Sequence, residues 1–265
     1  MTKGTALITG ASSGIGAVYA EKLAGRGFDL VIVARDVERL AILSKRLAQE
    51  HGVSVAALPA DLSRSADLAK VTAKLQGDDS LRMLVNCAGI GPKGPALTAE
   101  PERLSDMVYL NVDVLHTLTT VAARIFADRG EGAIINIASV VALMPEHFNA
   151  TYVASKAFVL ALTEALEVEL KPKGVRIQAV LPGFTRTEIF DRAGIDINAI
   201  PQDMMMDAAE MVDAALAGFD QGEIVTIPSL ADVTLWQNYV EARGTLAPHL
   251  SLKHAAGRYA IGQRA

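Results

Sequence analysis

A glycine-rich turn wedged between a strand and a helix constrains this chain more than any other feature. Residues 5–9 are a compact apolar run that stops at Gly10, which reads as a buried strand. Thr9-Gly10-Ala11-Ser12-Ser13-Gly14-Ile15-Gly16 follows, and residues 14–26 then carry Ile15, Val18, Tyr19, Lys22 and Leu23 at helical spacing. Glycines at such a corner allow a tight reversal and let backbone N–H groups approach a pyrophosphate, with the helix N-terminus adding a favourable dipole. The same glycines would serve a plain turn packed on a sheet. Their position between the first strand and the first helix favours a dinucleotide site.

The rest of the chain repeats the alternation. Strand-like apolar runs recur at 30–34, 53–58, 82–86, 133–138, 175–181 and 223–227, and helical stretches lie near 66–76, 101–128, 152–170 and 208–219. Asp36 stands where it can cap a helix whose Leu40, Leu43 and Leu47 recur every three or four residues. This alternation predicts an α/β fold: a doubly wound, mostly parallel seven-stranded sheet with helices on both faces. No linker or repeat divides the 265 residues, so one domain over 1–265 is expected. Two stretches lack a clean period, 183–207 and 229–265. The first leaves the carboxyl end of a strand, where ligands of open parallel sheets bind, and is expected to be a lid; the second is a C-terminal extension.

Composition narrows the function classes. Apolar residues make up 51% of the chain and the formal charge is −5, which favours a large core and gives no strong pull toward nucleic acid or anionic membrane. One cysteine, Cys87, excludes an internal disulfide, no Cys/His cluster has zinc spacing, and no metal is expected. The apolar stretch before Gly10 is too short for a signal sequence, and no run reaches the roughly 18 apolar residues of a spanning helix. A cytoplasmic protein is the expectation.

Tyr152-Val153-Ala154-Ser155-Lys156 places a tyrosine and a lysine on one helix face. A tyrosine of pKa about 10 shuttles protons poorly at neutral pH, and a nearby ammonium would draw that value down. Such a tyrosine would protonate a carbonyl oxygen as hydride arrives, or deprotonate an alcohol in reverse. Ser139, at the end of a strand, would hydrogen-bond the same oxygen.

The spacing T-G-x-x-x-G-x-G, Asn86-Cys87-Ala88-Gly89 in place of N-N-A-G, Asn111 on the next helix, Ser139, Y-x-x-x-K and Pro182-Gly183 together resemble the short-chain dehydrogenase/reductase family over about residues 5–187. Cys87 is the departure, standing where the family has a second Asn. The resemblance implies a Rossmann-type fold, with Tyr152 as acid/base, Ser139 as carbonyl binder, Lys156 as field source and ribose contact, and Asn111 as organiser of a water relay. It also implies that Gly10, Ser12, Ser13, Gly14, Ile15, Gly16, Asn86, Ala88 and Gly89 surround the cofactor. Asp61 with Leu62 would meet the adenine, and Pro182, Gly183, Thr185 and Thr187 the carboxamide and phosphates.

At the end of the second strand the family's acid position falls on Ala34, followed by Arg35. Loss of the carboxylate removes repulsion toward a 2′-phosphate, and arginine offers it a fork of donors, so NADP is expected over NAD. The competing assignment has Asp36 holding a ribose hydroxyl with Arg35 in solvent. The expected activity is interconversion of a ketone or aldehyde with an alcohol. The alternatives are a 3-oxoacyl (acyl-carrier or CoA) ketoreductase, or a silent nucleotide-binding sensor or scaffold. The enoyl-reductase branch, with its wider Tyr–Lys spacing, does not fit. Surplus apolar positions near 101–128 and 152–170 (Val159, Leu160, Leu162, Thr163, Leu166 and Val168 among them) call for burial in the chain's own core or against a partner, and the resemblance implies pairing through these helices into a homodimer or homotetramer. Phe184, Ile189, Phe190 and Met204-Met205-Met206 suit an apolar pocket, an interface or a core, while His147 and Trp236 have no assigned part.

Overall fold

The computed structural model describes residues 3–259, which form two compact units that divide between Pro228 and Ser229. The first unit holds seven parallel strands: β1 (Thr5–Thr9), β2 (Asp29–Ala34), β3 (Val55–Pro59), β4 (Leu81–Asn86), β5 (Gly132–Ile137), β6 (Val175–Val180) and β7 (Val225–Thr226). Their order in the sheet is β3-β2-β1-β4-β5-β6-β7. Helices α1 (Gly14–Gly25), α2 (Val37–His51), α3 (Ser65–Gly77), α4 (Pro101–Val108), α5 (Leu115–Arg129), α6 (Ala150–Leu170), α7 (Ile189–Ala193) and α8 (Ala208–Gln221) connect them.

Successive residues of a strand face opposite sides, so β1 feeds two cores. Ala6 and Ile8 join Tyr19, Leu23, Leu40, Leu47, Met211 and Phe219 beneath α1, α2 and α8. Leu7 joins Val71, Leu75, Leu118 and Phe126 beneath α3 and α5. Two-sided cover explains why the inner strands are continuously apolar. Asp36 caps α2 as expected, its carboxylate accepting from the Arg39 amide at 2.9 Å.

Strand order reverses between β1 and β4. Thr9 pairs with Asn86 there, so the loops leaving Gly10 and Asn86 lie side by side at the carboxyl edge of the sheet. A buried amide network holds this centre. The Asn86 amide nitrogen donates to Thr119 Oγ1 (3.0 Å) and Asn136 Oδ1 (2.9 Å), and Asn136 in turn donates to Thr163 Oγ1 (3.1 Å).

Two expectations change. The single helix expected over 101–128 is broken into α4, a π-helical turn at Tyr109–Val114 and α5. In the second unit, which the sequence pattern left without a period, Val233–Gly244 is a helix, α9. Its apolar residues form no stripe and none is buried, and Trp236 stacks on Tyr239 at a centroid distance of 5.3 Å. Among the described residues no helix is long and apolar enough to cross a membrane.

Candidate active site

Gly10 has φ +69°, a conformation that side chains resist, and a Cβ there would lie 2.9 Å from the Ala88 nitrogen. Gly16 is tighter: its Cβ would lie 2.4 Å from the Gly10 carbonyl oxygen, so only glycine lets α1 start this close to β1. Thr9, whose part the sequence left unread, ties the two loops together. Its hydroxyl accepts from the Cys87 and Ala88 amides, both at 3.1 Å. Ser13 begins α1 from extended backbone without a side-chain cap, so its side chain satisfies none of the first N–H groups of the helix. Ile15 packs against the core below. A concave nest of glycine backbone at a helix N-terminus fits a pyrophosphate.

Across the switch point lie the polar side chains. Lys156 is 8% exposed and donates to the Ile137 carbonyl at 2.9 Å, with its ammonium 5.8 Å from the centroid of the half-buried Tyr152 ring. Ser139 closes β5; its hydroxyl donates to the Pro182 carbonyl (3.4 Å) and accepts from the Val141 amide (3.3 Å). Asn111 sits in the π turn, its Oδ1 accepting from the Ile90 amide (2.9 Å) and its Nδ2 donating to the Ile90 carbonyl (3.0 Å). A Cβ on Gly89 would lie 3.0 Å from Asn111 Oδ1 and 4.0 Å from Lys156 Nζ, so these groups share one wall. Asn149, unmarked by any sequence pattern, caps α6 by accepting from the Tyr152 amide (3.1 Å) and donates to the Gly94 carbonyl (2.9 Å). It thereby fixes the start of α6 to the loop after β4.

Burial dominates the titration of the site. It pushes Tyr152 up to about 12, against the pull of the neighbouring Ser139 hydroxyl, and lowers Lys156 to about 8. It also raises the half-buried Cys87 thiol, which stays protonated. The expected depression of the phenol by Lys156 does not appear among the causes of this shift; burial dominates it and keeps Tyr152 neutral at pH 7.

At the far end of the cleft Arg35 is exposed just beyond β2. Burial works to raise the Asp61 carboxyl, but hydrogen bonds from Ser63 and the charges of Arg35 and Arg64 hold it below its ordinary value. Leu62 is 5% exposed and its side chain belongs to the core. Thr185 is buried against Gly183, its hydroxyl donating to that carbonyl at 3.2 Å. The Thr187 side chain lies 3.3 Å from where a Gly14 Cβ would stand. His147 ends a single 3-10 turn, Pro145–His147.

Residues 4–198 match the short chain dehydrogenase family model. The chain belongs to the short chain dehydrogenase family. Among solved structures it is similar to a short-chain dehydrogenase from Sphingobium yanoikuyae in complex with NADPH, at 48% identity and TM-score 0.94 over 97% of this chain and 99% of that one. It is also similar to a bulky-bulky ketone specific alcohol dehydrogenase from Comamonas testosteroni, at 44% identity and TM-score 0.90 over 98% and 99%. Curated relatives include the zebrafish (Danio rerio) very-long-chain 3-oxoacyl-CoA reductase-B, 31% identical over 69% of this chain. Human (Homo sapiens) 17-beta-hydroxysteroid dehydrogenase type 3 is 34% identical over 67%. The matched stretch spans only 60% and 57% of those two proteins.

Proposed function

We propose that this short chain dehydrogenase is an NADP(H)-dependent oxidoreductase that interconverts a ketone or aldehyde with an alcohol. The observation that carries the proposal is the meeting of the Gly10–Gly16 nest with Ser139, Tyr152 and Lys156 at one switch point of the sheet. Backbone of Ser12, Ser13 and Gly14 would hold the pyrophosphate, Arg35 the 2′-phosphate, and Asp61 the adenine edge. Ala88, Gly89, Gly183 and Thr187 would line the nicotinamide half. When bound, NADPH supplies the hydride.

Ser139 would orient the carbonyl oxygen, and Tyr152, neutral in this setting, would give that oxygen its proton. Lys156, charged below about pH 8, would stabilise the phenolate left behind and bind the ribose. Asn111 spends its side-chain amide on Ile90, so its part is to hold the π turn and the loop from which a water relay would start. Both solved neighbours cited above, one holding NADPH and one named for bulky ketones, support this substrate class over a silent scaffold. A 3-oxoacyl-CoA reductase is the second reading, favoured by the zebrafish relative.

Arg35→Ala tests the cofactor assignment. The wild-type protein is expected to bind NADPH at least about tenfold more tightly than NADH in a fluorescence titration, and the variant to lose most of that preference. Equal affinities in the wild type would remove the role given to Arg35.

The assembly is proposed to be a homodimer or homotetramer in the cytoplasm. Of the surplus apolar positions on α6, Val159, Leu160 and Thr163 are buried within the chain, whereas Val168 is 70% exposed. Phe158 and Val108, both exposed, line an open apolar hollow with Val112 and Ala154 between α4 and α6. A light-scattering mass of at least two chains is expected, and Phe158→Glu should shift it toward one.

A further inference from the structure

The lid is anchored in two different ways. At its base, Thr185 and Met206 form a parallel bridge, with the Met206 amide donating to Phe184 O and the Arg186 amide to Met206 O, both at 2.9 Å. Thr185 is 4% exposed, so this base is a buried backbone clip. The outer part is held by side chains: Ile189 and the buried Ala193 lie beside Gly91, and ion pairs secure the exposed side. Glu188 accepts from Arg39 Nη1 with both oxygens, at 2.8 and 2.9 Å, and from Arg192 Nη2 at 2.7 Å. Arg192 Nη2 also donates to Ser13 Oγ at 3.1 Å.

These contacts run from α7 to the glycine turn at Ser13 and to the first turn of α2 at Arg39. They therefore bridge the two places where a dinucleotide would lie, its phosphates at the turn and its adenosine end beside β2. The partners are half exposed, with side-chain exposures of 48% for Arg39, 44% for Glu188 and 56% for Arg192. Exposed ion pairs are weak and salt-screened, so the ionic part of the outer attachment opens far more readily than the base.

We propose that Glu188 is a positioning residue, the centre of an ionic strap that holds the lid across the cleft and sets the rate at which the dinucleotide leaves. The proposal rests on the dinucleotide reading of that cleft. One carboxylate gathers two arginines from α2 and α7, and through Arg192 it reaches the turn itself. Removing its charge releases both arginines from the lid's carboxylate at once, leaving Arg39 to Asp36 (3.4 Å) and Arg192 to Ser13, while the clip at Thr185 and Met206 stays in place. Glu188 touches no reacting atom in this scheme and acts through the lid.

Glu188→Gln keeps the shape and removes the charge. In a stopped-flow chase of bound NADPH by NADP, release from the variant is expected to be about fivefold faster than from wild type at low salt, the upper range for an exposed ion pair. The difference should shrink near 0.5 M salt, at roughly a 4 Å screening length. Release at the wild-type rate overturns the strap, and slower release does so too, because it would mean that Glu188 merely competes with phosphate for the arginines. Amide hydrogen exchange of the free proteins gives a second readout. Residues 187–193 should exchange faster in the variant while 184–185 and 206 do not change, and identical exchange across the lid overturns the proposal. If wild type holds no NADPH, the cofactor reading falls, and the exchange measurement still decides the strap.

Discussion

Tyr152→Phe is expected to lower carbonyl reduction by about 10²–10⁴-fold while NADPH affinity stays within about twofold of wild type. A thousandfold loss corresponds to about 4 kcal/mol of transition-state stabilisation. The ring stays beside Lys156 and only the hydroxyl disappears, so packing is preserved and the loss falls on the turnover number. The helix that carries Tyr152 is independently fixed by the Asn149 cap and by Lys156 bonded to the Ile137 carbonyl. A phenylalanine variant that still turned over at a tenth of the wild-type rate would remove the acid role.

The same residue predicts the pH dependence. Tyr152, held near 12, is in its donor form across the working range, while Lys156, near 8, loses its charge above that pH. Reduction should therefore be level below about pH 8 and fall above it as the lysine's charge is lost. Oxidation needs the deprotonated phenol and should rise with pH. Initial rates in both directions between pH 6 and 10, each interval about one unit, check the sign. Reduction that increases through pH 8 would contradict it.

Gly16→Ala is expected to abolish useful cofactor binding, weakening NADPH by about 10–100-fold, and to lower Tm by several degrees. The added methyl would lie 2.4 Å from Gly10 O and 3.1 Å from Thr9 O, both backbone atoms that cannot rotate away. Overpacking of this kind costs about 1–3 kcal/mol, spent either on stability or on displacing the turn proposed to receive the phosphates. For a chain of this size each kcal/mol is about 2–4 °C. Gly77→Ala, at the end of α3 with nothing within 4 Å of the added Cβ, is the control and should be neutral in both readouts. Equal behaviour of the two variants by thermal unfolding and NADPH titration would show that the nest is no tighter than an ordinary turn.

Local pattern carried much of this molecule. The strand expected at 5–9 is Thr5–Thr9, and α8 starts at Ala208 as expected, because a buried strand and an amphipathic helix each print their period on the sequence. The 101–128 segment shows where pattern stops. Its composition is helical throughout, and the π turn at its middle is marked by what Asn111 bonds, the Ile90 backbone 21 residues away. The end strand expected at 223–227 shrinks to Val225–Thr226, where Glu223 spends its carboxylate on the Thr226 hydroxyl. Helix α9 was illegible for the opposite reason: no stripe sets its apolar residues apart from the rest.

The sequence by itself determined the alternation of strands and helices, the glycine turn, and the Tyr152–Lys156 spacing, since each is written within a few residues of chain and follows from backbone geometry. Tertiary structure alone decided the electrostatics and the company those residues keep. Burial, which no local window reports, leaves Tyr152 protonated and strips Lys156 of part of its basicity. Glu188 meets Arg39 across 149 positions and Arg192 meets Ser13 across 179, contacts that exist only because the parallel sheet gathers the carboxyl ends of its strands on one edge.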